Sequence, residues 1–234
     1  MSINPENTDI EPISTSEVRR ALKSSKNKKA AGPGDIPIEL VKYGPTILLE
    51  ETVKVMNKCM IDGDDIPEDW NIGYVSSIHK KGSKTQCKNY RGISVTSSMG
   101  RLYGKILKTR LENTIVDIEE QSGFRSGRSC LDNTFTLKQV LEKRIARNMD
   151  THLIFIDLEK AYDSVPLDRL FKTLRKRGIN ENYIRSIYNI YKNTECVVKS
   201  GQQVSKKIKI TKGLKQGCSM SPTLFKIYVQ EALN

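Results

Sequence analysis

Residues 153–165 read Leu-Ile-Phe-Ile-Asp-Leu-Glu-Lys-Ala-Tyr-Asp-Ser-Val, a short apolar run that meets a carboxylate. Residues 153–156 predict a buried β-strand, because they are apolar and rich in isoleucine and phenylalanine. An unpaired charge at the end of a buried strand, here Asp157, is energetically costly. A divalent cation such as Mg²⁺, which prefers carboxylate oxygens, would compensate that charge. The residues alone leave two other interpretations open, in which Asp157 caps a turn or pairs with Lys160.

A basic, glycine-containing loop precedes this stretch: residues 123–129 read Gly-Phe-Arg-Ser-Gly-Arg-Ser. Glycine lets backbone N–H groups approach a phosphate, and Arg125 and Arg128 can add charge-assisted hydrogen bonds. The loop is therefore a candidate nucleic-acid contact. Asp132 is expected to cap the helix that follows.

Hydrophobic periodicity predicts most of the remaining secondary structure. Residues 74–78 and 90–95 read as an antiparallel hairpin with a basic turn, and residues 196–210 contain a second hairpin. Helices are predicted after Pro45, after Pro166 and from Pro222 onward, and also over residues 184–191. One further helix carries a clear apolar stripe: Met99, Leu102, Tyr103, Ile106, Leu107 and Leu111.

The acidic sequence at residues 62–65, Asp-Gly-Asp-Asp, resembles the Gly-Asp-Asp motif of RNA-copying polymerases. No apolar strands flank it, and the chain continues through Pro67 as a loop. We therefore interpret it as a solvated acidic turn.

Composition restricts the class of partner. The 234 residues carry 39 Lys plus Arg against 27 Asp plus Glu, a net charge of +12. This excess favours a polyanionic partner, either nucleic acid or an acidic membrane surface. No apolar segment is long enough to span a bilayer, so no membrane insertion is expected. Five scattered cysteines without a Cys-x-x-Cys pair predict a reduced intracellular protein, in the nucleus or the cytoplasm, without a zinc or disulfide framework.

Four sequence motifs, in the order given below, resemble those of the reverse transcriptases of non-LTR retrotransposons and, more distantly, those of the group II intron enzymes. The first joins Ile78-His-Lys-Lys-Gly to Asn89-Tyr-Arg-Gly-Ile-Ser, and the second is the 123–129 loop. The third is Phe155-Ile-Asp-Leu-Glu-Lys-Ala-Tyr-Asp-Ser-Val, and the fourth is Gly213-Leu-Lys-Gln-Gly-Cys-Ser-Met-Ser-Pro-Thr-Leu-Phe. The resemblance covers the chain from about Ala30 to its C-terminus.

The resemblance implies an α+β, right-hand polymerase fold with fingers, an incomplete palm and no thumb. Residues 1–30 would be an N-terminal extension. Residues 31–150 would form the fingers and the fingers/palm connection, and residues 151–234 a partial palm. The implied activity is RNA-directed DNA polymerisation by two-metal nucleotidyl transfer.

The same resemblance assigns roles to individual residues. Asp157 would be catalytic and bind metal, and the Leu158 carbonyl would be a second metal ligand. Tyr162 would be the bulky residue that rejects a ribose 2′-OH. The remaining nucleotide-binding positions would be Lys80, Lys81, Arg91, Gln216 and Gly217. The template contacts would be Gly123, Phe124, Arg125, Gly127, Arg128 and Ser129. The implied partners are an RNA template, a DNA primer and deoxynucleoside triphosphates, with two Mg²⁺ (or Mn²⁺) ions; the oligomeric state is not implied.

Two departures from the family pattern stand out. The family usually reads Gly-Pro-Asp-Gly-Ile-Pro near its start, whereas residues 32–37 read Gly-Pro-Gly-Asp-Ile-Pro. The sequence also stops at Asn234, where the family would soon supply an Asp-Asp hairpin. We therefore expect a fragment or a degenerate copy that is inactive by itself.

Alternative interpretations stay open. A nucleic-acid-binding protein without catalysis would keep the basic cleft and lose the reaction. Asp157 and Glu159 also suggest a dehalogenase-type phosphotransferase, although that family uses Asp-x-Asp. Tyr162 could be ordinary core, Gln216 could satisfy its own loop, and Arg91 could be a surface ion-pair partner.

Overall fold

The computed structural model describes residues 10–200, 203–215 and 217–233, in which ten α-helices and a five-stranded sheet form. The helices are α1 (Thr15–Lys23), α2 (Ile38–Tyr43), α3 (Thr46–Asn57), α4 (Glu68–Asn71), α5 (Ser98–Thr114), α6 (Cys130–Ile145), α7 (Ala161–Ser164), α8 (Leu167–Lys176), α9 (Glu181–Lys192) and α10 (Ser221–Leu233). The strands are β1 (Ile72–His79), β2 (Tyr90–Thr96), β3 (Glu195–Ser200), β4 (Gln203–Val204) and β5 (Ile208–Lys209). Within these ranges, no helix combines the length and apolarity needed to cross a bilayer.

The sheet is mixed, with β1 at its centre. β1 and β2 form the predicted antiparallel hairpin, with Val75 opposite Ser94 and His79 opposite Tyr90. On its other side β1 pairs in parallel with β3, which in turn pairs antiparallel with β4 and β5. The hairpin predictions are therefore confirmed, and the parallel β1–β3 pairing is a feature that local sequence patterns did not predict.

Helix α5 lies at the centre of the hydrophobic core. Every residue of its predicted apolar stripe is buried, and burial of each large side chain is worth roughly 1.5–3 kcal/mol. The Tyr103 ring packs 5.5 Å from the Trp70 ring of α4, measured between centroids. This packing places α4, and the start of β1 directly after it, against α5.

Helices α8 and α9 form a second packed pair below the sheet loops. Leu170 and Leu174 of α8 and Ile184 and Ile187 of α9 are almost completely buried. After α8 the backbone turns at Gly178, whose φ of +70° lies in the region that glycine tolerates best. This pair supports the segment that carries α7.

The predicted strand at residues 153–156 is wrong. The structure forms neither helix nor strand there, and Ile154, Phe155 and Ile156 are each more than four-fifths exposed, at 87%, 81% and 83%. A strand requires backbone hydrogen bonds to a neighbour, and the five described strands pair only with one another. Apolar composition alone does not bury a segment that has no partner surface.

Asp132 caps α6 as predicted, through a capping box and from the first turn of the helix. Ser129 occupies the N-cap, and Asp132 lies in the first turn with its carboxylate accepting from the Ser129 backbone N–H at 2.6 Å. None of the α6 residues is buried, so its apolar side chains, including Phe135 and Ile145, face solvent. The acidic turn at residues 62–65 follows the π-helical turn Lys58–Asp62 with its aspartates exposed, which confirms its interpretation.

Candidate nucleotide-binding cleft

An open cleft of about 810 Å³ lies beside the tip of the β1–β2 hairpin. Five residues assigned from the sequence line it: Lys80, Asp157, Leu158, Tyr162 and Gly217. They come from three segments far apart in the chain, namely the hairpin, the stretch around α7 and the loop before α10. The remaining lining residues are Cys87, Tyr90, Gly92, Glu159, Lys160, Ala161, Asp163, Lys215, Cys218, Ser221 and Pro222.

Three other assigned residues are placed differently. Lys81 lies in the exposed turn after β1 and does not line the cleft. The backbone of Arg91 pairs with Ile78 in the hairpin register. Gln216 lies outside the described residues.

The hairpin tip that presents Lys80 is ordered by its own hydrogen bonds. The Lys80 backbone N–H donates to the Asn89 backbone carbonyl at 2.8 Å. The Asn89 side-chain amide donates to the Ser83 carbonyl at 2.8 Å. The Tyr90 hydroxyl donates to the Lys84 carbonyl at 2.8 Å. Because these bonds close the turn on itself, Lys80 projects from a defined backbone.

Two backbone hydrogen bonds attach the loop before α10 to the α7 segment. The Gly213 N–H donates to the Val165 carbonyl at 3.0 Å, and the Leu214 N–H donates to the Tyr162 carbonyl at 2.8 Å. Gly213 has a φ of +89°, and a Cβ there would lie 2.8 Å from the backbone of Asp163. The contact between these two walls therefore depends on glycine.

A second glycine brings the same loop against the hairpin. Gly217 has a φ of +98°, and a Cβ on it would lie 2.4 Å from the Ser94 carbonyl oxygen. Since real Cβ atoms do not approach a backbone oxygen so closely, this position requires glycine. Residues 213–215 and Gly217 are thus held between β2 and the α7 segment.

Lys215 lies inside this loop and was not singled out from the sequence. It is 8% exposed, and its ammonium donates to the Trp70 carbonyl at 3.5 Å and lies 5.9 Å from the centre of the Tyr191 ring. Burial lowers the pKa of Lys215 to about 8. In the sequence Lys215 lies between Leu214 and Gln216, with Lys212 nearby, and this pattern gives no indication of its burial.

Tyr162 has one side in the cleft and the other in an aromatic cluster. Its ring stacks on Phe225 of α10 with 4.9 Å between centroids, and Phe124 meets it edge-on at 6.2 Å. Burial raises the pKa of the Tyr162 hydroxyl. The cluster fixes the ring while leaving it accessible from the cleft.

The 123–129 loop approaches the cleft through Phe124, but its arginines have acidic partners in the chain. Arg125 lies 3.3 Å from Glu119 and 3.9 Å from Asp117, and Arg128 also pairs with Glu119. These carboxylates neutralise much of the positive charge that the two arginines would otherwise present to a nucleic-acid phosphate backbone. Any nucleic acid would have to compete with them.

The ligands available for a metal ion form a partial set. Asp157 and Leu158 are exposed on the cleft wall, and Glu159 and Asp163 line the same cleft. Among the described residues, no three His, Cys, Asp or Glu side chains lie close enough together to hold an ion. Mg²⁺ usually keeps several waters and binds one or two carboxylates together with substrate phosphates. Asp157 fits that role as one protein ligand.

Comparison with known proteins connects this geometry to a family. Residues 78–234 match the family described as reverse transcriptase (RNA-dependent DNA polymerase). The Transposon TX1 uncharacterized 149 kDa protein of Xenopus laevis is 24% identical over 224 residues, 95% of this chain and 17% of that protein. The Pol polyprotein of the retrotransposable element R2 from Popillia japonica is 26% identical over 223 residues, 95% of this chain and 30% of that protein. The probable RNA-directed DNA polymerase from transposon BS of Drosophila melanogaster is 23% identical over 227 residues, 95% of this chain and 25% of that protein.

The chain spans between 17% and 30% of the length of these three relatives. The matched region, residues 78–234, is more than half of the chain and contains every residue that lines the cleft. The chain therefore belongs to the reverse transcriptase family and is related to the polymerases of the non-LTR retrotransposons R2, TX1 and BS.

Proposed function

We propose that the chain supplies the nucleotide-binding cleft of an RNA-directed DNA polymerase, which extends a DNA primer on an RNA template with deoxynucleoside triphosphates. One observation carries this proposal. Lys80, Asp157, Leu158, Tyr162 and Gly217 lie far apart in sequence and line a single cleft. A cleft with a carboxylate, a lysine and a close-approaching backbone has the chemistry that a metal-bound triphosphate needs.

In this proposal each wall of the cleft has its own role. Asp157 and the Leu158 carbonyl would hold Mg²⁺ or Mn²⁺. Two such ions would supply positive charge to the phosphates and the primer hydroxyl. Lys80 and Arg91, with Lys81 nearby in sequence, neutralise the triphosphate. Gly217, with Gln216 before it, lets the nucleotide approach the loop backbone closely.

The domain organisation is part of the same proposal. Residues 31–150 form the fingers and their connection, residues 151–234 form part of the palm, and residues 1–30 extend the N-terminus. Phe124 and the other residues of the 123–129 loop contact the template beside the cleft. The mixed five-stranded sheet is common to both ranges, since β1 from residues 31–150 pairs with β3 from residues 151–234.

Nucleotide binding tests the proposal directly. A fluorescent deoxynucleoside triphosphate should bind the full chain, and Mg²⁺ should strengthen the binding. Asp157→Ala should weaken the Mg²⁺-dependent binding by roughly tenfold or more, the factor that corresponds to about 1.4 kcal/mol. Asp150→Ala removes an exposed carboxylate outside the cleft and is the matched control. Equal binding by the two variants would show that this cleft is not the site.

Primer extension tests whether the chain catalyses the reaction by itself. We expect that the chain by itself does not extend a primer with Mg²⁺ and deoxynucleotides. Template-dependent extension that Asp157→Ala abolishes would overturn this expectation and establish Asp157 as catalytic.

A further inference from the structure

A second cavity, of about 390 Å³, lies between the α1–α2 connection and α5. Five cationic residues line it: Lys26, Lys29, Arg101, Lys105 and Lys108. We call this group the basic pocket. None of the described residues that line it is acidic, whereas three acidic and three basic residues line the nucleotide cleft. The residues that line the basic pocket therefore carry a net positive charge, whereas those that line the cleft are balanced.

Two of the five cations are fixed by neutral groups. The Arg101 guanidinium donates to the Thr96 carbonyl at 2.5 Å and to the Ala30 carbonyl at 2.7 Å. The Lys105 ammonium donates to the Ala21 carbonyl at 3.1 Å and to the Ser25 hydroxyl at 3.3 Å. Carbonyls and hydroxyls hold these side chains in place without cancelling their charge. The pocket is thus both ordered and strongly positive.

Neighbouring charges show that the positive potential extends around the pocket. Burial, and then repulsion by Lys108 and Lys42, lowers the pKa of Lys105. Lys42 itself donates to the Ser25 carbonyl at 2.9 Å. Lys108 lies 3.6 Å from Glu112, and both of these side chains are about one third exposed. An anion in the pocket would relieve the repulsion between these cations.

We propose that the basic pocket is a phosphate-binding site outside the nucleotide cleft, and that it holds backbone phosphates of a single nucleic-acid strand. Ser219, in the connection between Gly217 and α10, lines the pocket, while the neighbouring Gly217 and Cys218 line the cleft. A strand lying across this loop would touch both cavities. The inference rests on the proposed function for the identity of the strand, but its charge argument does not involve Asp157.

Charge reversal of the two exposed loop lysines tests the pocket without disturbing the core. The variant Lys26→Glu with Lys29→Glu should lower the affinity for a labelled 15-nucleotide RNA by roughly tenfold at low salt, as measured by fluorescence anisotropy. The slope of log affinity against log salt should fall by about 1.4, because each lost single-strand phosphate contact contributes about 0.7. Circular dichroism would verify that the variant is folded.

The matched control reverses the same number of charges elsewhere. Lys54→Glu with Lys172→Glu changes two exposed lysines on α3 and α8, and neither lines the pocket. An equal loss of RNA affinity in both double variants would overturn the proposal, since net charge alone would then explain the binding. Unchanged affinity in the Lys26/Lys29 variant would overturn it as well.

Two further experiments identify the ligand and distinguish the basic pocket from the proposed nucleotide cleft. Inorganic tripolyphosphate should displace the RNA only weakly; displacement at equal phosphate concentration would mean that the pocket takes a free polyphosphate and not a strand. The Lys26/Lys29 variant should retain deoxynucleotide binding within about twofold, and Asp157→Ala should retain RNA affinity. Failure of the nucleotide cleft would therefore leave the RNA result unaffected, and failure of the pocket would leave the nucleotide result unaffected.

Discussion

At the scale of single residues, Tyr162 combines two roles that the sequence could only present as alternatives. Its ring packs on Phe225 and Phe124 and also lines the cleft. Aromatic pairs of this kind contribute roughly 0.5–1.5 kcal/mol beyond area burial. The family resemblance assigned this position from the sequence, but the aromatic partner 63 residues later in the chain depends on where α10 lies.

The accessible side of the Tyr162 ring should discriminate between sugars. A ribose 2′-OH that overlaps a packed ring costs roughly 1–3 kcal/mol, which is about one to two decades in affinity. Tyr162→Ala should therefore raise ribonucleotide binding relative to deoxyribonucleotide binding, and Tyr162→Phe should change the ratio little. Titration with matched fluorescent nucleotides measures this ratio. If Tyr162→Ala weakened both nucleotides equally, the ring would serve only to pack the core.

Lys215 should make stability depend on pH. Its pKa is lowered from 10.5 to about 8 in the folded chain, so the unfolded chain binds more protons between these values and stability rises with pH across them. The free-energy cost of burying the protonated lysine, about 3 kcal/mol for a pKa change of this size, is fully present below pH 8. Lys215→Met should be more stable than the parent at pH 7 and should lack that part of the rise. Urea unfolding at several pH values would show it, and identical profiles for both proteins would contradict it.

At the scale of elements, the loop of residues 213–217 fixes the distance between the hairpin and the α7 segment. Gly217→Ala would introduce a Cβ that meets the Ser94 carbonyl, in addition to the strain of a positive φ. Gly127 also has a positive φ, at +77°, but a Cβ there would meet no atom within 4 Å. The two glycines therefore separate backbone strain from steric contact.

We expect Gly217→Ala to lose both stability and nucleotide affinity, and Gly127→Ala to lose only the stability that left-handed strain costs, about 1–2 kcal/mol. Urea unfolding measures the first quantity and nucleotide titration the second. Similar losses in both variants would mean that the loop tolerates a shift away from Ser94 and does not set the width of the cleft.

Local patterns predicted those elements whose signals lie within a few residues. The β1–β2 hairpin and helix α5 follow period-2 and period-3.6 patterns with turn residues at their ends, and both are confirmed. The parallel β1–β3 pair joins residues more than 100 positions apart, such as Ile72 and Glu195, so no local signal specifies it. The strand predicted at residues 153–156 failed for a related reason, because its hydrophobicity was read without knowing whether a neighbouring strand was present.

At the scale of the whole molecule, the net charge of +12 indicated an anionic partner but not where it binds. The arginines that looked most suitable, Arg125 and Arg128, are paired with acidic residues 6–9 positions earlier in the chain. Lys26 and Lys29, which carried no functional assignment from the sequence, line the basic pocket. The position of each charged side chain depends on the tertiary structure, and the amino-acid composition carries no information about it.

The exposed segment at residues 153–156 has a consequence for handling the protein. A flat apolar run with unpaired backbone groups is a site for intermolecular strand pairing and aggregation. Asp157 follows it directly and Glu159 lies two residues further on, and charges that flank such a run oppose self-association. Asp157→Ala removes one of these charges, and such a sample should become turbid at lower concentration than the parent, as light scattering would record.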